Sequence, residues 1–121
     1  MTRLTLQLAL RVIEGAFAKA TELQCVPLTV VVLDAGGHEV AVQRQDRSGI
    51  LRVDIARAKA WSALGMGYAS REIAERAPAA GGVLLYDDER NVIGAVGISG
   101  DTSDRDEECA LAGVKAAGLQ A

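Results

Sequence analysis

Apolar residues recur every three or four positions near the start of the chain: Leu6, Ala9/Leu10, Ile13, Ala16/Phe17, Ala20 and Leu23. That spacing predicts an amphipathic helix over about residues 5–24, with Thr5 as its N-cap and Pro27 as its stop. The run Leu28–Leu33 is apolar and β-branched on both faces, which predicts a central strand. Asp34-Ala35-Gly36-Gly37 is turn chemistry, and Glu39–Arg44 alternates as the returning arm of a hairpin. A polar loop, Gln45–Gly49, leads to a second helix over Ile50–Met66. Its stripe is Val53, Ala56, Ala60 and Leu64, and Ser48 is its candidate cap.

A short helix is expected over Arg71–Arg76, capped by Ser70 and closed by Pro78. Val83–Tyr86 reads as a strand, residues 87–91 as a polar hairpin loop, and Val92–Ser99 as a strand apolar on both faces. Ser103–Ala117 is the last helix. Ser103 and Asp106 fit a capping box, and Gly118 marks the end. The order α-β-β-α-α-β-β-α predicts an α+β fold around an antiparallel sheet. A strand without a polar face needs cover on both sides, so helices are expected on both faces, making three layers, α/β/α.

At 121 residues the chain is expected to form one domain, residues 1–121. Half of its residues are apolar but only four are aromatic (Phe17, Trp61, Tyr68, Tyr86), so Ala, Val, Leu and Ile must build the core. A net charge of −3 with no basic run argues against nucleic acid as a partner. No apolar run approaches the roughly 20 residues of a membrane span. The first residues lack the order of a signal peptide, so a cytoplasmic location is expected. Cys25 and Cys109 have no metal-ligand spacing and read as reduced thiols.

The candidate chemistry is dispersed. Ser99-Gly100-Asp101-Thr102 joins a strand to a helix N-terminus, where free N–H groups and the helix dipole suit an anion. The acidic residues Asp104, Asp106 and Glu107 suit the same helix end, so it can also cap itself. His38, the only histidine, is a candidate metal or haem-iron ligand or general base, or simply an exposed turn residue. Arg44 can grip a carboxylate, although a solvated loop beside Asp46 and Arg47 explains it equally plainly. Lys59, set among alanines, can bind an anion, act as a nucleophile or lie along a helix edge. Gly94-Ala95-Val96-Gly97 looks like the start of a dinucleotide fingerprint, but its glycines fall inside a strand, and that reading is rejected.

Three phrases, VVVLDAGGHEVAVQRQD (30–46), ARAKAWSAL (56–64) and GGVLLYDDERNVIGAVGISGDTSDRDEECALAG (81–113), resemble the GlcG/HbpS-like, haem-degrading family. That family also includes the C-terminal domain of PduO-type proteins. The resemblance covers nearly the whole chain and rests on the ordered combination D-A-G-G-H, R-x-D, K-A, G-G-V and G-A-V-G-I-S-G-D-T. It implies a profilin-like fold with an antiparallel sheet of about five strands between helices. It also implies a homo-oligomer built from dimers and a small anionic ligand, haem or a related tetrapyrrole.

On this reading the ligand pocket lies near Gly36-Gly37 and Gly81-Gly82. His38, Arg44, Lys59, Gly81, Gly82, Ser99, Gly100 and Thr102 are its binding residues, and His38 meets the haem iron. Two other readings stand beside it. One is an enzyme acting on a small carboxylate or enol, with Lys59 or Asp46 as acid or base. The other is a non-catalytic oligomeric accessory protein. The chain departs from the family where Glu75–Pro78 runs almost directly into Ala79–Gly82. Either a true deletion or an omitted loop accounts for that junction, and four strands can be counted instead of five.

Overall fold

The structure, a computed structural model, describes residues 3–67 and 82–121. Its elements are α1 (Leu6–Glu22), β1 (Thr29–Asp34), β2 (Glu39–Arg44), α2 (Arg52–Met66), β3 (Gly82–Tyr86), β4 (Val92–Ser99) and α3 (Ser103–Ala116). The expected short helix over Arg71–Arg76, with Ser70 and Pro78, lies outside the described residues, as do Tyr68 and Gly81.

The α+β expectation holds. Among the described residues, four strands form one antiparallel sheet in the order β2-β1-β4-β3, with β1 and β4 in the middle. Four strands among the described residues agree with the expected sheet of about five. Both central strands are buried almost throughout. Val30 and Val32 of β1 face α1 and α3, while Val31 and Leu33 face α2. Because β1 has no polar face, both sides need helical cover, and this is the origin of the three layers.

Small residues let these layers approach closely. On the α2 side, a Cβ at Gly97 would run into the Ala56 carbonyl and the Ala60 amide, so the helix backbone rests directly on β4. On the other side, a Cβ at Gly113 of α3 would strike the Val12 carbonyl of α1. This contact explains which face α1 buries. Ala9, Val12, Ile13, Ala16 and Ala20 are inside, whereas Leu6 and Leu10 of the expected stripe are exposed. A helix that must come close to a glycine buries its small residues and turns its leucines outward.

The helix ends agree with expectation in part. Thr5 does cap α1, its hydroxyl accepting the Leu8 N–H at 3.1 Å. The C-terminus of α1 closes in a Schellman turn: Gln24 N–H donates to the Thr21 carbonyl, and Cys25 N–H to the Ala20 carbonyl. Gln24 takes the left-handed position of that turn at φ 56°. Two expected caps are corrected. Ser48 does not cap α2, which begins at Arg52 with no side-chain cap; it is buried, its hydroxyl 2.7 Å from that of Thr29. Nor does Ser103 cap α3. Thr102 does, accepting the Arg105 N–H at 3.2 Å, and Asp106 is drawn away into the interior.

Candidate functional site

The two ends of the sheet carry different chemistry. The β1–β2 hairpin turn forms one end. Six residues of strand, about 20 Å at roughly 3.3 Å per residue, separate its His38 from Arg44 at the other. The single pocket expected around Gly36-Gly37, Arg44, Lys59 and Gly100 is therefore divided.

At the hairpin end, Asp34 organises the turn. Its carboxylate accepts the Gly36 N–H at 2.9 Å and the His38 N–H at 3.0 Å. Its own N–H donates to the His38 carbonyl, and its carbonyl accepts the Gly37 N–H. His38 is thus held by its backbone, while its exposed ring lies beside Gly36 and has no hydrogen-bond partner among the described residues. The ring borders an open cleft of about 590 Å³ lined by Arg3, Leu4, Asp34, Ala35, Val92 and Ile93. On the other side of the turn, Gly37 sits against the Trp61 ring, next to a hollow of about 230 Å³. The cleft volume is in the range of ordinary small-molecule sites, and its mostly apolar wall carries one cation, Arg3, and one carboxylate, Asp34.

At the α3 end, the groups satisfy one another. The Lys59 ammonium is turned inward, donating to the Ile98 carbonyl at 2.8 Å and to the Asp106 carboxylate at 3.1 Å. Both side chains are almost sealed, at 7% and 2% exposure. The second Asp106 oxygen accepts the Asp101 N–H at 3.0 Å. Burial pushes the Asp106 carboxyl above its ordinary range, against the pull of that N–H and of Lys59. The pair bolts α2 to the junction of β4 and α3. Gly82, the other half of the expected glycine turn, packs its Cα against the Lys59 backbone.

Ser99 accepts from Arg52 at 3.1 Å, Thr102 is used as the helix cap, and Gly100 packs on Pro27 and Leu28. Arg44 donates to the Ser48 carbonyl at 2.6 Å. It lines a shallow cleft of about 520 Å³ with Cys25, Pro27, Gln45 and the exposed Asp46. The Asp101 carboxylate accepts the N–H groups of Thr102 and Val26, which hold it below the usual carboxylate range. Arg44, Lys59, Ser99, Gly100 and Thr102 therefore share an end, but Lys59, Ser99 and Thr102 are spent on internal bonds there. Among the described residues, no group of three or more His, Cys, Asp or Glu is placed to hold a metal ion.

Several participants were not singled out in the sequence. Arg3, Leu4 and Ile93 reach the cleft only through folding. Asp34 had a readable signal, an Asp opening an Ala-Gly-Gly turn. Asp106 was read as a helix cap, because nothing local ties it to a lysine 47 positions away.

An antiparallel sheet covered by helices on both faces, with an open cleft at one hairpin end, defines a small three-layer α+β domain of the HbpS type. The chain belongs to the HbpS-like family of haem-degrading proteins, whose model matches residues 4–115. It is 32% identical, over 85% of its length and 84% of the relative's, to an uncharacterised 15.0 kDa protein of Citrobacter freundii encoded between dhaT and dhaS. Its structure is similar to that of a PduOC–haem complex, with TM-score 0.86, 25% identity and 98% of each chain covered. It is also similar to Klebsiella pneumoniae protein ORFY, with TM-score 0.88 and 27% identity, covering 100% of this chain and 95% of that one. Among the described residues, no helix is long and apolar enough to cross a membrane.

Proposed function

We propose that this chain binds haem or a related tetrapyrrole in the hairpin-end cleft. His38 would ligate the iron, and Arg3 would pair with the propionates. The observation that carries this reading is the His38 ring, held at the rim of a mostly apolar cleft with no hydrogen-bond partner among the described residues, in a chain of a haem-linked family. The fit is chemical. Imidazole is a common axial ligand, Leu4, Val92 and Ile93 suit the apolar macrocycle, and a guanidinium suits a carboxylate. A bound haem would supply redox chemistry; the chain supplies a wall, an iron ligand and a counter-charge.

The outer side of α2 supports self-association as part of the same reading. It leaves Leu51, Trp61 and Met66 more than half exposed. Trp61 also borders the hairpin turn, so a second copy docked there would lie beside the cleft.

Haemin titrated into the apo-protein is expected to give a shifted, saturable Soret band at one haem per chain. His38→Ala is expected to weaken binding at least tenfold. An unsaturable spectrum would refute the haem reading, and a His38→Ala protein with unchanged affinity would refute the assigned ligand.

A further inference from the structure

The His38 ring is exposed, and an exposed ring offers one ligand geometry only if its backbone is fixed. Its two chain neighbours are fixed from outside the hairpin. Gly37 and Glu39 turn toward α2, while the His38 side chain between them borders the cleft with Leu4 and Ile93. Gly37 rests on the Trp61 ring so closely that a Cβ there would lie 2.5 Å from the nearest ring carbon. Its φ of 83° also favours glycine. Glu39 is ion-paired with the Arg57 guanidinium. Arg57 and Trp61 stand one helical turn apart, at i and i+4, so a single stripe of α2 meets both residues that flank His38. The helix is itself seated on the sheet through buried Ala56, Ala60 and Ala63.

We propose that Trp61 and Arg57 are positioning residues for His38, a clamp on α2 that holds the hairpin turn so that the imidazole meets its ligand in one orientation. What the imidazole binds rests on the haem reading; what holds it rests on these contacts alone.

Asp34 shapes the turn from within, accepting the Gly36 and His38 N–H groups, but it belongs to the same hairpin and does not tie the turn to a helix. The clamp does. Trp61 carries most of it, because an aromatic ring against a glycine Cα is a fixed surface. The Arg57 and Glu39 side chains are 39% and 44% exposed, so water screens their ion pair. Groups that orient a metal-ligating histidine commonly change metal affinity by about tenfold or more when removed.

The test uses the full chain, first without ligand. Backbone order parameters of Gly37, His38 and Glu39 from amide relaxation are expected near about 0.85 in the parent and below about 0.6 in Trp61→Ala. Trp61 is 59% exposed, so this variant should keep the fold. Trp61→Phe, which keeps a flat ring beside Gly37, should recover most of the rigidity. Haemin affinity should fall about tenfold in Trp61→Ala and about twofold in Arg57→Gln, and largely return in Trp61→Phe. Because the clamp acts through the imidazole, Trp61→Ala should cost nothing further in a His38→Ala background. A turn that stays rigid in Trp61→Ala would overturn the clamp, whether or not haemin binds. A mobile turn with unchanged haemin affinity, or losses that add in the double variant, would overturn the positioning role. Arg57→Gln at parental affinity would remove Arg57 from the clamp. Failure of the parent to bind haemin would refute the haem reading, and the order parameters would still decide the clamp.

Discussion

The two ends of this sheet are built from the same kinds of residue and do opposite things with them. At the α3 end, every group that looked like ligand chemistry meets an internal partner: Lys59 finds Asp106, Thr102 finds the helix N–H, and Ser99 finds Arg52. At the hairpin end, the backbone of the turn is tied down by Asp34, but the His38 ring is left over. A cation at a helix junction is thus no sign of a binding site once a buried carboxylate answers it. A side chain with a fixed base and an unspent head is the better sign.

The largest effect that tests this contrast should come from the buried pair. Lys59→Ala leaves the Asp106 carboxylate sealed without its cation, and is expected to cost about 3–5 kcal/mol in denaturant unfolding. In protein that remains folded, haem affinity should change little. A Lys59→Ala protein of native stability would mean that the ammonium does not serve the fold.

Next in size is Gly97→Ala, which forces α2 off the sheet; a loss of about 1–3 kcal/mol is expected in the same assay. His38→Ala should reverse this pattern. Its stability should stay within about 0.5 kcal/mol of the parent, while haem binding loses at least about 1.4 kcal/mol, a factor of ten.

Two adjacent aspartates sharpen the comparison through pH. Asp101 is held below its ordinary value of 3.8, so the folded state releases its proton more readily than the unfolded chain. Its contribution to stability is complete above pH 3.8 and is lost as pH falls through the lower folded value. Asp106 is raised above 3.8, so its folded state holds the proton more tightly. Its contribution runs the other way, diminishing as pH rises from 3.8 to the raised value. Asp101→Asn should therefore flatten the acid fall in stability below pH 3.8, measured by urea unfolding across pH, and leave the limb above it. The smallest effect expected is at Gln24, whose left-handed backbone suits glycine. Gln24→Gly should gain about 0.5–1 kcal/mol.

The fold was legible because its determinants are local. The doubly apolar Leu28–Leu33 and Val92–Ser99 runs announce central strands and therefore two helical layers. Thr5 announces a cap. What stayed hidden depends on meetings between distant residues. The face that α1 buries is decided by Gly113 on another helix, which is why Val12 is inside and Leu10 is not. Asp106 looks like a helix-capping acid until α2 brings Lys59 over it. For the candidate site, His38 and its Gly-Gly turn could be picked out by eye. That Arg44 and Gly100 belong to the far end could not, because strand length becomes distance only once the register is known.

Whether the proposed tetrapyrrole docks at the hairpin end is read directly by an amide-resolved NMR titration with diamagnetic gallium protoporphyrin. The expected result is saturable shifts at Asp34, Gly36, His38 and Ile93, with Gly100, Thr102 and Asp106 unmoved. Shifts concentrated at Cys25, Gly100 and Thr102, with the hairpin turn silent, would contradict it.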